Sequence, residues 1–165
     1  MLFRSAENLL GEEGKGFAYL THNLVEERLT IVVQTAAQAA AAINFTVQYV
    51  KERKAFGQPI SDFQNTRFKL GELRAQIDAS QAFVDHCVRL LNAGQLDAET
   101  AAGTKLVTTE MVGRVADECL QLHGGYGYMT EYPICRIYAD VRIQRIFAGT
   151  SEIMKEIISR KLLAN

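Results

Sequence analysis

Tryptophan is absent from this 165-residue sequence, proline occurs twice (Pro59 and Pro133) and cysteine three times. Each scarcity excludes something. With so few prolines, long stretches are free to be helical, because proline removes an amide donor and clashes with the preceding turn. Cys87, Cys119 and Cys135 are odd in number and widely spaced, and neither C-x-x-C nor H-E-x-x-H occurs. A disulfide framework and structural zinc are therefore not expected; reduced core cysteines in a cytosolic or matrix-like compartment are the simpler reading. An excess of one charge is also lacking, since 18 basic against 19 acidic residues leave a formal net charge of −1. That balance points away from nucleic acid or an anionic membrane surface as a partner. No apolar run is expected to approach the roughly 20 residues of a membrane span. The opening MLFRSAENLL lacks the charged-then-apolar plan of a secretory signal.

What is present is ample material for one core. Apolar residues make up 48% and charged residues 22% of a chain whose length suits a single domain, most often about 100–150 residues. Three glycines within residues 7–16 suggest that residues 1–16 are an extended lead-in. From Phe17 to about Glu52 apolar residues recur at helical spacing through Phe17, Leu20, Leu24, Ile31, Ala39, Ala42, Phe45 and Tyr49. Residues 54–60 break the pattern, and Ser61 or Asp62 can cap the second helix. Along that helix Phe63, Thr66, Leu70, Leu73, Ile77, Ser80, Val84, Cys87 and Leu91 keep a strict 3-4 alternation, the seam of a left-handed bundle. Gly94 is placed as its left-handed cap. Asp97 and Glu99 suit the first turn of a third helix ending near His123. A glycine loop at 124–128, a short helix from about Pro133 to Asp140 and a last helix from Thr150 to Leu163 complete the pattern. Long amphipathic helices with short connections predict an all-α, up-down four-helix bundle over 17–165, with almost no strand.

Several polar features invite functional readings. Glu27 falls on the apolar stripe of the first helix, three residues after Leu24 and four before Ile31. A carboxylate there is expected to lose water, which raises its pKa and makes it a usable base; pairing with a neighbouring helix is the structural alternative. Glu26 and Arg28 flank it as a solvated pair. Gly124-Gly125-Tyr126-Gly127 follows a helix rather than a strand and lacks the third glycine of a dinucleotide fingerprint. Its amides can still meet phosphate, or it is a plain interhelical turn. Thr150 or Ser151 caps the last helix, whose free amides can hold an anion or a carbonyl oxygen. Arg53 to Gly57 sets cations beside an aromatic ring, suiting a nucleotide, or Arg53 complements its own helix dipole. His22, His86 and His123 lack metal-ligand spacing and read as structural.

Taken together, ENLLGEEGKGF (7–17), ERKAFGQPI (52–60) with Gln64, LQLHGGYGYMTEYP (120–133) and AGTSEIMKEIISRKLL (148–163) resemble the acyl-CoA dehydrogenase family in order and spacing. The resemblance spans nearly the whole chain and implies its C-terminal helical bundle. It implies a flavoenzyme in which FAD takes a hydride from the β-carbon of a fatty acyl-CoA while a glutamate removes an α-proton. Many members place that glutamate just before the Gly-Thr of the last motif, where this chain has Ala148. The long-chain and isovaleryl branches carry it on the first bundle helix before an arginine, which corresponds to Glu27 followed by Arg28. The resemblance further implies FAD contacts from Arg53, Phe56, Phe63, Gln64 and Gln121, Leu122, His123, Gly124, Gly125 to a flavin held mainly by a neighbouring subunit. Thr150 and Glu152 would then face the cofactor of their own subunit, with Leu24, Arg28 and Gly149 near the acyl thioester. A homo-oligomer, a dimer of dimers, is implied, as is an electron-transferring flavoprotein as acceptor, with an oxygen-using acyl-CoA oxidase as the alternative. Residues 81–97, 120–133 and 152–158 read closest to the long-chain branch of fatty-acid β-oxidation, which fits a medium- or long-chain substrate; an isovaleryl-type or other short branched substrate is the alternative. The family's N-terminal helical and middle β-domains are not in this sequence, so it is expected to be a fragment or truncated product, with a bundle serving only oligomerisation as the further alternative. The expected location is bacterial cytoplasm or, in a eukaryote, the mitochondrial matrix.

Overall fold

The computed structural model describes residues 5–164; residues 1–4 of the expected lead-in, and Asn165, lie outside the described residues. A single 3-10 turn at Ala6–Asn8 interrupts the otherwise irregular lead-in, and α1 covers Gly16–His22. The chain steps at Asn23 into α2, Leu24–Glu52. A small antiparallel hairpin comes next, β1 Lys54–Ala55 against β2 Gln58–Pro59, with Lys54 opposite Pro59 and Ala55 opposite Gln58. After a 3-10 turn at Ile60–Asp62 come α3, Gln64–Asn92, and α4, Ala98–His123. The glycine segment Gly124–Tyr128 winds as a 3-10 helix before α5, Pro133–Val141. A 3-10 turn at Arg142–Arg145 leads to α6, Ser151–Leu163.

The order is all-α and up-down. Lys69 pairs with Glu118, and Cys87 Sγ lies 2.8 Å from Thr104 Oγ1, so α3 runs antiparallel to α4. Ser151 meets Glu110 while Lys161 meets Asp97, so α6 is antiparallel to α4 as well. The main core joins Ala39, Ala42 and Ile43 of α2, Leu73 and Ile77 of α3, Met111, Val112, Val115, Ala116 and Cys119 of α4, and Ile134 and Val141 of α5. Buried threonines inside helices return their hydroxyls to the preceding turn: Thr35 donates to the Ile31 carbonyl at 2.7 Å and Thr46 to that of Ala42 at 2.8 Å. This leaves no orphan donor in the core at those positions. The three thiols are free, and burial pushes that of Cys119 up to about 11.

Several expectations change. The first helix is two helices, because Asn23 stays in the right-handed helical region (φ −88°) while starting α2, with its carbonyl accepting the Glu27 amide at 3.0 Å. The apolar spacing therefore continues across a break that it does not reveal. Phe17 and Leu20 of α1 are 78% and 70% exposed, and Phe45 is exposed too. Phe63, not Ser61 or Asp62, stands at the α3 N-cap, with no side-chain cap, because those two residues are used in the 3-10 turn. The expectation of no span-length apolar run also needs correcting. Residues 29–50 hold no charged residue, and the Gly16–Glu52 stretch is long and apolar enough by composition to cross a membrane, with 39% of its most apolar window buried in this fold. Alanines and valines packed against α4 account for that composition.

The α3 seam needs no correction: none of its nine residues is exposed. Gly94 (φ +67°) ends α3 with its amide on the Leu91 carbonyl and Gln95 on that of Leu90, a left-handed cap. Asp97 caps α4 by accepting the Thr100 amide at 2.7 Å. Hydrogen bonding from Lys161, and then from Thr100, holds its carboxyl down at about 2. Asp97→Ala is expected to cost about 1 kcal/mol in urea denaturation at pH 7. The carboxyl is depressed from 3.8, so this stability is present above about pH 4 and drains as pH falls toward 2; the gap between variant and wild type should close over that interval.

Candidate functional site

Two clusters of polar groups form at opposite ends of the bundle. At the C-terminal end of α2, the Tyr49 ring stacks on His123 with centroids 4.2 Å apart, and its hydroxyl donates to the His123 carbonyl at 3.1 Å. His123 Nδ1 lies 2.8 Å from the Cys119 carbonyl, and burial lowers the imidazole pKa, so the ring is a neutral packed plate at pH 7. The Arg53 guanidinium sits 5.3 Å from the centre of the Tyr126 ring. Around them lies a mostly apolar groove of about 650 Å³, lined among others by Arg53, Gln121, Leu122, His123, Gly124 and Gly125. These are six of the residues that sequence resemblance groups for a nucleotide cofactor, and the fold brings them together.

The glycines of this groove differ in purpose. A methyl added at Gly127 would meet the Leu120 carbonyl oxygen at 2.5 Å, so that glycine is required by packing. At Gly124 (φ +58°) and Gly125 nothing lies within 4 Å of an added methyl; there the backbone faces open space. Phe56, Phe63 and Gln64 do not line the groove. Phe56 (φ +52°) is 98% exposed and makes an edge contact to Phe63 with centroids 6.3 Å apart, while Gln64 is exposed.

The second cluster surrounds the loop before α6. Lys105 of α4 is completely buried and donates to the carbonyls of Gln144 and Gly149, each at 2.9 Å. Arg28 of α2, 5% exposed, donates through Nε to the Ala148 carbonyl at 3.3 Å. The Gln144 side-chain oxygen lies 2.9 Å from the Thr35 hydroxyl oxygen, sharing its hydrogen with the Ile31 carbonyl, and the Gln144 amide donates to Gln38, tying the loop to α2 again. Burial lowers the pKa of both cations; the Glu27 carboxylate opposes this at Arg28, and the charge of Arg28 adds to it at Lys105. Ala148 at φ +51° and Gly149 at φ +106° are left-handed, and a methyl on Gly149 would meet Met154 Cε at 2.7 Å. Thr150 caps α6 by accepting the Ile153 amide at 3.4 Å. Hydrogen bonds from the residue's own amide and from the Thr150 hydroxyl hold the Glu152 carboxyl below the ordinary range.

The expected burial of Glu27 is overturned. Glu27 is exposed, and its neighbour Arg28, expected as a solvated surface residue, is the buried one. The stripe does not carry over, because α1 buries none of its residues, and the buried face of α2 opens one residue later, at Arg28, Leu29, Ile31 and Val32. Leu24 is half-buried. The bond from Arg28 to Ala148 nonetheless puts the start of α2 beside the loop carrying Gly149 and Thr150. Lys105 was missed, although the same stripe argument finds it, four residues after Ala101 and seven before Val112, both buried. Arg28 and Tyr49 are 21 positions apart on one helix, so the two clusters stand about 30 Å apart. Among the described residues no group of His, Cys, Asp and Glu is arranged to hold a metal ion.

Comparison with known proteins is consistent in direction. The family model described as acyl-CoA dehydrogenase, C-terminal domain, matches residues 14–163. The long-chain specific acyl-CoA dehydrogenase of Mus musculus mitochondria is 45% identical over 160 residues, 97% of this chain and 37% of its own length. The crystal structure of an acyl-CoA dehydrogenase from Geobacillus kaustophilus superposes with a TM-score of 0.93 at 46% identity, over 96% of this chain and 42% of that one. A glutaryl-CoA dehydrogenase from Mycobacterium smegmatis, in complex with FADH2, gives 0.83 at 27% identity, over 86% and 37%. The chain thus spans little more than a third of the mouse relative.

The loop geometry carries its own test. Gly149→Ala adds a methyl at a left-handed residue and against Met154, and is expected to lower stability by about 1–3 kcal/mol, read by thermal or urea unfolding.

Proposed function

Because the chain belongs to the acyl-CoA dehydrogenase family, as its C-terminal domain, we propose that it carries the base of an FAD-dependent α,β-dehydrogenation of a medium- or long-chain acyl-CoA, and that the base is Glu27. The observation behind this is the hydrogen bond from Arg28 to the Ala148 carbonyl. It ties the first turns of α2 to the position where many relatives carry the base and where this chain has only a methyl. Glu27 is the exposed carboxylate next in sequence to that buried guanidinium.

In this reading the Glu27 carboxylate takes the α-proton of the thioester, the Cα–H electrons form the double bond, and the β-hydrogen leaves as hydride. Bound FAD supplies the acceptor for that hydride. Arg28 keeps its charge beside the base, and Leu24 and Gly149 border the acyl thioester. Thr150 and Glu152 meet the cofactor of their own subunit. Arg53 and residues 121–125 meet a second cofactor, with Phe56, Phe63 and Gln64 extending that contact. The open space above Gly124 and Gly125 and the cation at Arg53 fit one end of a flat, anionic nucleotide.

A dinucleotide is shorter than the roughly 30 Å between the two clusters. That separation supports cofactors shared between chains in a homo-oligomer, for which a dimer of dimers is the reading. An electron-transferring flavoprotein is the proposed electron acceptor. The 45% identity to the mouse long-chain enzyme favours long acyl chains over branched short ones, and a matrix or bacterial cytoplasmic location accompanies that role.

In the holoenzyme, Glu27→Gln is expected to keep the visible flavin absorbance while turnover of palmitoyl-CoA falls by roughly 10²–10⁴-fold. Near-normal turnover would remove Glu27 as the base. Faster turnover of isovaleryl-CoA than of palmitoyl-CoA by the wild type would overturn the chain-length assignment.

A further inference from the structure

Lys105 has a cost that the fold must have a reason to carry. A lysine with no exposed surface, inside a helix otherwise lined by alanine, valine and threonine, is destabilising unless its donors are filled. Here two of its three donors are filled, both by the loop. Two N–H groups reach the carbonyls of Gln144 and Gly149, and the ammonium lies 5.9 Å from the centre of the Phe147 ring. It forms no salt bridge among the described residues, and a second cation, Arg28, lies close enough to add to the cost of its charge. Structural lysines are ordinarily paired with carboxylates. This one is paired with a backbone conformation.

That conformation is the one most in need of support. Ala148 is one of two non-glycine residues with positive φ among the described residues, and Gly149 comes next at φ +106°. Ile143, Ile146 and Phe147 are exposed and Gln144 is the one buried residue between Arg142 and Gly149, so apolar packing contributes little to holding the segment. Within it, Ile146 and Phe147 amides both rely on the single Ile143 carbonyl, at 2.8 and 3.2 Å. Lys105 bridges the two ends of this turn, Gln144 and Gly149, and thereby fixes the span between them.

We propose that Lys105 is a positioning residue for the dehydrogenation: its ammonium clamps the 144–149 turn and so sets where Gly149 and Ala148 stand relative to Glu27. This rests on the proposed roles of Glu27 and Gly149. Lys105 has no exposed surface and acts through the turn it holds. A methionine of similar length would fill the same volume yet leave both carbonyls without their donor.

The test is Lys105→Met in the holoenzyme, with rates taken per bound flavin. The expected result is a kcat for palmitoyl-CoA reduced roughly 10²-fold with KM little changed, as for a misplaced reacting group. Ile146 and Phe147 amides should exchange hydrogen at least about tenfold faster, while those of α3 keep their rates. A variant that is merely less stable, with normal kcat per flavin, would overturn the proposal, as would unchanged exchange in the turn. If Lys105→Met fails to fold, the wild type decides: Ile146 and Phe147 amides exchanging at unprotected rates would overturn the clamp, and protection comparable with the first turn of α6 would support it. Full turnover in Glu27→Gln alongside a slow Lys105→Met would retain the clamp while discarding Glu27 as base, so the two failures are separable.

Discussion

Everything at the functional end of this bundle depends on how closely α2 and α4 pack. Ala39 and Ala42 on α2 share one core with Ala116 on α4 and are all but inaccessible, and small side chains let two helices approach. Their threonines occupy core volume, and the hydroxyls of Thr35, Thr46 and Thr109 are each satisfied within their own helix. Because the two helices run side by side in the same direction, with α3 and α6 antiparallel to α4, their N-terminal halves share one end. Lys105 and Arg28 then reach the same turn from two directions. A larger residue at any of these alanines would part the helices and pull the two cations off a single set of carbonyls.

The fold was legible because it is written in spacing. The 3-4 alternation of α3, the glycine at 94 and the acidic cap at 97 each carry a local physical reason, and each appears where that reason puts it. The break at Asn23 was not legible, since a residue can end one helix and start another without leaving helical dihedral angles. The hairpin at 54–59 is too short to show a period of two.

The site was legible unevenly. Six of the nucleotide-contact candidates assemble around one groove, five of them consecutive at 121–125 and the sixth, Arg53, brought in because the C-terminal ends of α2 and α4 adjoin. Phe56, Phe63 and Gln64 lie outside it, on the hairpin and the start of α3. For Glu27 the apolar spacing of the sequence misplaced the buried position by one residue. Phase errors of one residue turn a helix by about 100°, enough to exchange buried for exposed, and here they exchanged a glutamate for an arginine. Lys105 could have been found from the buried stripe of α4, but its partners could not, because they are backbone carbonyls about 40 residues away, and main-chain atoms have no letter in a sequence.

The separation of the two polar clusters along α2 has a consequence for assembly. If each flavin is gripped by the 124–125 end of one chain and the 150–152 end of another, binding and oligomerisation are one equilibrium seen from two sides. Cofactor would act as adhesive, drawing subunits together at concentrations where the bare chains drift apart. Dilution would then shed flavin, and flavin depletion would shed subunits. Such a protein would be hard to half-assemble, because a helix roughly 40 Å long would hold its two cofactor-facing ends too far apart for one flavin to meet both.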